Sequence, residues 1–296
     1  MTAGLYGLLA ALAWGSADFI ARFTGRAIGH KQALLGMLIV GAILLSLFIF
    51  IFNIPIVLVA SGWWLLIISG VGIMTSTLLL YWGLKRGPVT IVASIVGSFP
   101  LFNVILAIIL GTHIDNLQWI AMFSVFIGVW LVAHASSHFE SHPDYDRRYL
   151  HKTIIIALAS AIGFGITVAA VQEASLIYGE LQTICIARWI SIFLLILVFV
   201  CKKQAPVITI SCWPLIGLQG LLDTGAYAAL AWSSHSDNAE LAVVATSGFC
   251  VVTVLLARVF LKEKMHWLQW CGLVFILAGV SVISGHELLL NFSLKG

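Results

Sequence analysis

Residues His134 to Lys152, HASSHFESHPDYDRRYLHK, form the longest polar run in a chain that is otherwise nearly all apolar. Five apolar segments precede it and five come after it. An α-helix needs about 20 apolar residues to cross a bilayer, and each segment is long enough to do so. The second five segments repeat the first five. Because five is odd, the second set must cross in the opposite sense to the first. The expected fold is therefore an all-α membrane protein of ten transmembrane helices, arranged as two inverted five-helix repeats. The first repeat occupies 1–135, a cytoplasmic linker 136–151, the second repeat 152–286 and a short tail 287–296.

Composition narrows the class in the same direction. Only 9% of the 296 residues are charged and 61% are hydrophobic, with mean hydropathy +1.08. Soluble domains carry roughly 25% charged residues, so this chain lacks the groups to cover a water-facing surface. The net charge of +3 is small and the basic residues fall in loops, which gives no sign of a nucleic-acid partner. The five cysteines show no CxxC pair and lie in or beside apolar segments, as packing residues do. The first 23 residues have no Lys or Arg before Arg22, unlike a signal peptide, so they read as a retained spanning helix.

The ten spans are expected near 3–23, 32–52, 62–84, 88–110, 116–134, 152–172, 181–201, 213–233, 239–261 and 267–285. Trp63, Trp64 and Trp213 stand at span starts, where aromatic belts form. Pro100 removes a helical hydrogen bond, so a kink is expected in the fourth span, with a hinge as its candidate role. The glycines of Gly36–Gly41, Gly70-Val71-Gly72 and Gly163-Phe164-Gly165 read as packing positions.

The internal repeat is visible residue by residue. A shift of 150 pairs Gly15 with Gly165, Trp63 with Trp213, Gly70 with Gly220, Leu80 with Leu230 and Trp82 with Trp232. A shift of 151 pairs Gly97 with Gly248, Leu117-Gln118-Trp119 with Leu268-Gln269-Trp270, and Gly128-Val129 with Gly279-Val280. Lys and Arg placement then sets orientation. Thirteen of the fifteen lie in or beside the odd-numbered loops: Arg22, Arg26, Lys31; Lys85, Arg86; Arg147, Arg148, Lys152; Lys202, Lys203; Arg258, Lys262, Lys264. The other two are Arg188, within the seventh span, and Lys295. The basic loops are expected in the cytoplasm and both termini outside a bacterial-type inner membrane.

Several stretches resemble the drug/metabolite transporter superfamily in its ten-helix EamA-type branch. They are AWGSADF, LKRGPVTIVASIVGSFPLFNVILAIILG, GLLDTGAYAALA and VVTVLLARVFLKEKMHWLQWCGLVFILAGVSVI. The resemblance covers nearly the whole chain and implies transport of small organic metabolites by a five-plus-five inverted repeat. Two features depart from the family pattern. Thr112 stands where the first repeat usually has Glu, whereas Glu263 keeps it in the second, and many members place both termini in the cytoplasm.

Ionisable residues inside a span are costly, about 3 kcal/mol at the centre on insertion scales, and mark candidate sites. Asp223 lies near the middle of its span, where inverted-repeat carriers bind. Asp18 lies toward the cytoplasmic end of the first span, and Arg188 lies within the seventh. Asp223 is the candidate cavity acid, Asp18 a second polar position, and Arg188 an anion anchor or counter-ion. The alternative is structural pairing of Arg188 with Asp223 or Glu173. If Arg188 is not its partner, Asp223 could exchange a proton or bind an ammonium group.

Trp14 precedes Asp18 by four residues and Tyr227 comes four after Asp223, so each pair shares a helix face. Tyr81, Trp82, Ser94, Ser98, Asn103, Thr246 and Ser247 are further candidate lining residues, with belt or packing roles as the alternative. His134, His138 and His142 are four apart, but Pro143, Asp144 and Asp146 read as a helix stop, so a solvated linker is expected and no metal site. No GxxxxGK[ST], HExxH or GxSxG occurs, which argues against ATP drive and against an enzyme with a cofactor.

The expected function is secondary active transport of a small organic metabolite, such as an amino acid or related compound, in the export or antiport direction. The expected partners are the lipid bilayer, the substrate and protons as coupling ion, in a monomer or homodimer. The rival is a non-transporting assembly or sensor subunit, or an intramembrane enzyme.

Overall fold

The structure is a computed structural model that describes residues 3–293, apart from 57–58, 60, 112–115, 139–145, 234–244 and 247. The helices are α1 (Ala3–Ile28), α2 (His30–Ile51), α3 (Trp63–Arg86), α4 (Val89–Val96), α5 (Phe99–Ile109) and α6 (Asn116–His138). After the polar run come α7 (Arg147–Tyr178), α8 (Glu180–Cys201), a 3-10 turn (Ile210–Cys212), α9 (Trp213–Ser233), α10 (Phe249–Phe260) and α11 (Trp267–Ser293). There is no strand among the described residues. Since α4 and α5 are halves of one span, the helices make ten spans, in accord with the sequence. Helices suit this composition because each satisfies its own backbone hydrogen bonds, which lipid cannot do.

The backbone repeats as the sequence does, most plainly at its left-handed residues. Gly29 (φ 94) joins α1 to α2, and its counterpart Gly179 (φ 88) joins α7 to α8. Asn53 (φ 50) ends α2, and Lys203 (φ 51), 150 residues on, ends α8. Gly111 (φ 95) comes after α5, and Lys262 (φ 55), 151 residues on, comes after α10. A left-handed residue just past a helix end lets the chain reverse while its amide reaches a free carbonyl.

The two halves also pack reciprocally. A Cβ on Gly70 of α3 would meet Ile190 of α8, and one on Gly220 of α9 would meet Val40 of α2. Gly70 matches Gly220 and Val40 matches Ile190 at the shift of 150, so the two contacts are mates across a pseudo-two-fold axis. Small residues let the halves approach here, as membrane helices require. Other glycines touch the opposite half too: Gly36 meets Ile216, Gly72 meets Thr167 and Gly163 meets Ser76. The fifth and tenth spans, α6 and α11, pack with Gly128 against the Gly272 carbonyl and Gly279 against the Ala121 carbonyl. Their outer faces carry exposed Ile120, Phe123, Phe126, Trp130 and Val274, the surface that lipid covers.

Several elements differ from the expected bounds; α1 runs on to Ile28, past the expected end near 23. The fourth span breaks at Gly97–Ser98, a turn before the kink expected at Pro100. Pro100 has no N–H to give the Val96 carbonyl, which leaves that turn without its bond. The Ser98 amide instead reaches back three residues to Ile95 (3.1 Å). In the second half the Gly248 amide, one residue before the mate of Ser98, makes a similar three-residue bond to Ala245 (3.1 Å), and α10 begins at Phe249. Val251 stands there where Pro100 stands in the first half, so the feature does not depend on proline. The sixth span is longer than expected at both ends, and the tenth continues as helix to Ser293, through most of the expected tail.

Candidate functional site

Arg188 is among the largest fully buried side chains, with 2% of its surface exposed. It projects from the middle of α8 into the gap between α2 and α9. Gly41 of α2 makes the room, since a Cβ there would collide with the guanidinium. The guanidinium donates to Thr224 Oγ1 (2.9 Å) and forms an ion pair with Asp223, both on α9. It also lies over the Tyr227 ring, 5.3 Å from the centroid. A charge this deep persists only with a partner, and the pair neutralises both groups.

Tyr227 meets Trp14 of α1 edge to face at 4.9 Å. Four residues on from Trp14, Asp18 lies close enough to Asp223 and Tyr227 for charge interaction. Asp18 has neither a cationic partner nor a hydrogen-bond donor among the described residues. Trp14, Asp18, Asp223 and Tyr227 are all partly exposed. The cluster thus holds two carboxylates, one guanidinium and two aromatic rings, contributed by α1, α8 and α9.

Below the cluster, toward the Lys- and Arg-rich end, the interior is closed. Gln219, one turn before Asp223 on α9, donates to the Tyr81 hydroxyl of α3. The Thr24 hydroxyl of α1 donates to Gln219 Oε1 (3.1 Å). Thr24 and Gln219 are fully buried and Tyr81 nearly so. The basic side chains themselves gather at one end: Arg26 donates to the Lys85 carbonyl (3.1 Å), and Arg86 to the Tyr149 carbonyl and Thr153 hydroxyl (both 3.1 Å).

The structure therefore brings together Trp14, Asp18, Arg188, Asp223 and Tyr227, with Tyr81 in the closed layer beneath. Other candidates lie elsewhere. Trp82 stacks on His30 (6.0 Å) at the basic end, with Lys152 over its ring (5.7 Å). Ser94 and Ser98 spend their hydroxyls on the Thr90 and Ile95 carbonyls of their own span. Asn103 donates to Gln172 (3.4 Å) between α5 and α7, and Thr246 reaches the Gly7 carbonyl (3.4 Å). Ser247 lies outside the described residues, and Glu173, the alternative partner for Arg188, is exposed.

Sequence reasoning does not single out Thr24, Gln219 or Thr224, and it reads Gly41 as a helix-packing position only. A signal for the charged centre does exist in the repeat. The mates of Asp18, Arg188 and Asp223 at a shift of 150 are Val168, Leu38 and Ile73. Charge appears where the two halves, otherwise matched, diverge.

Ten apolar spans in two inverted halves, closed around a buried charged centre, define a transport protein of the inverted-repeat class. The chain belongs to the EamA-like transporter family, whose profile matches residues 1–134 and 151–285. The solved structures that this chain is similar to include a crystal structure with a TM-score of 0.62 and 16% identity, covering 99% of each chain, a likeness of fold. A comparison with curated proteins found no match.

Proposed function

We propose that this protein is a secondary active carrier that exports or exchanges a small organic metabolite, such as an amino acid or related compound, across a bacterial inner membrane. The observation that carries the reading is the charge arrangement at the centre. Arg188 and Asp223 neutralise one another, which leaves the Asp18 carboxylate as the group in search of a cation. A proton or a substrate ammonium meets that need, and the two compete for one site. Competition of this kind couples substrate movement in one direction to proton movement in the other.

The Trp14 and Tyr227 rings give an apolar substrate body a surface to lie on, with polar groups at its edge. The two repeats rock about the centre, and access alternates between the two ends. Thirteen basic residues at one end support a cytoplasmic position for that end and an outward position for both termini. The carrier works as a monomer or homodimer and needs no cofactor.

The test is flux into liposomes holding the purified protein, with a panel of labelled amino acids, amines and sugars under an imposed pH gradient. Gradient-dependent movement of one class supports the reading. No flux of any class by correctly folded protein contradicts it.

A further inference from the structure

Glu263 sits in the connection between α10 and α11, in the second half of the chain. Among the described residues, every partner of its carboxylate lies in the first half. Oε1 accepts from the Val89 amide (2.9 Å). Oε2 accepts from the Thr90 amide (2.9 Å) and the Thr90 hydroxyl (3.0 Å). These two amides are free donors at the start of α4, where a negative charge is also favoured by the helix dipole. Arg22 of α1 completes the set, with Nη1 3.6 Å from Oε1. Arg22 also reaches the Leu84 carbonyl of α3 (3.4 Å). The Arg22 and Glu263 side chains are 7% and 8% exposed, so the pair is shielded from water.

One carboxylate thus holds α1 and α4 to the α10–α11 connection, across the line along which the halves must part. In the sequence this charged pair is not repeated at the mate positions of the other half. The repeat mates of Arg22 and Glu263 are Gln172 and Thr112, both uncharged. We propose that Glu263, Arg22 and the amino end of α4 form a latch that closes the Lys- and Arg-rich end, so that the inverted halves hold their two ends shut with unequal strength. With no charged residues at the mate positions Gln172 and Thr112, the resting state is the one sealed on the basic side, with Asp18 and Asp223 facing the other. Opening that seal means breaking the carboxylate's three hydrogen bonds and its ion pair together.

The proposal rests on alternating access, but its test reads conformation and not transport. Ala21 is fully buried on α1 between Asp18 and Arg22, behind the latch. A single cysteine placed there, with the five native cysteines replaced by alanine, reports access from the basic end. Inside-out vesicles are treated with a membrane-impermeant thiol reagent, and the labelling rate is compared with and without Glu263→Gln. The Gln variant keeps an acceptor for α4 but loses the charge.

A rise in labelling of about tenfold is expected, equivalent to about 1.4 kcal/mol. Arg22→Gln should act in the same sense. Thr90→Val, which removes one bond only and is the least disturbing to the fold, should give a smaller rise. The charge swap Arg22→Glu with Glu263→Arg should not restore protection, because an arginine cannot accept from the α4 amides. Unchanged labelling in all three single variants overturns the latch, and restored protection in the swap overturns the helix-capping part of it. A chain that shows the labelling changes yet moves no substrate would contradict the carrier reading and leave the latch standing.

Discussion

The Arg188 guanidinium occupies the space where a side chain on Gly41 would begin. The two residues lie in opposite halves of the chain, on α8 and α2, and their contact lets a charged side chain reach the Asp223 carboxylate. A substitution Gly41→Ala should therefore act on the charged centre without touching a charge. Overpacking costs about 1–3 kcal/mol. The expected result is a lowered thermal midpoint in detergent and a loss of transport larger than the loss of folded protein. Transport equal to the parent's would mean the guanidinium need not stay where it is.

Arg188 and Asp223 should be strongly coupled in stability. Removing one member of a buried pair typically costs about 3–5 kcal/mol, because the other charge is left alone. Arg188→Met should destabilise by an amount in that range, and the added change Asp223→Asn should restore most of it. Thermal unfolding of the two single variants and the double closes the cycle. Additive losses would show that the pair is not what holds these groups in the interior.

Orientation has its own test. A cysteine at Ser293, at the end of α11, should react with a membrane-impermeant thiol reagent in intact cells. One at Ser141, in the linker, should react only after the cells are opened. The reverse pattern would mean that the basic end faces outward.

The Tyr81–Gln219–Thr24 layer should act as a barrier. In Gln219→Ala the buried Tyr81 hydroxyl loses its hydrogen-bond partner, at about 1–3 kcal/mol, while the Thr24 hydroxyl keeps the Ile20 and Ala21 carbonyls of its own helix. The variant should be less stable and should leak substrate down its gradient without coupling. Tight coupling in a folded Gln219→Ala protein would show that the seal lies elsewhere.

Much of this fold is legible in the sequence because membrane helices announce themselves one at a time. A run of apolar residues ending at a basic pair defines a span without reference to its neighbours, as at Lys202-Lys203. The repeat is legible for the same reason, since Gly70 and Gly220 answer the same packing need in each half. In the fourth span, sequence reasoning points to Pro100, the residue with an evident local effect. The break at Gly97 is shared with Gly248, which has no proline behind it, so the cause lies in how the halves meet.

Side-chain partnerships are harder to read. Arg188 and Asp223 are 35 residues apart, and in the sequence either Asp223 or Glu173 could serve as partner; the packing of α8 on α9 decides between them. Trp82, at the end of the third span, and Ser94, in the fourth, are candidate lining residues in sequence. One lies at the basic end and the other bonds its own helix, and only three-dimensional packing separates them from Tyr81. Glu263 and Arg22 are legible as charges but not as a pair, because the tie runs from a connection to a helix start on the other half.

Asp18 bears most of the account, as the carboxylate at the centre with no cation beside it among the described residues. The most direct measurement compares the parent protein with Asp18→Asn in liposomes, for accumulation driven by a pH gradient and for counterflow at equal pH. The parent should do both. The variant, which keeps the shape of the side chain and loses its charge, should lose gradient-driven accumulation, and should keep counterflow if the proton alone is bound there. Gradient-driven accumulation by Asp18→Asn at the parent's rate would contradict the coupling mechanism.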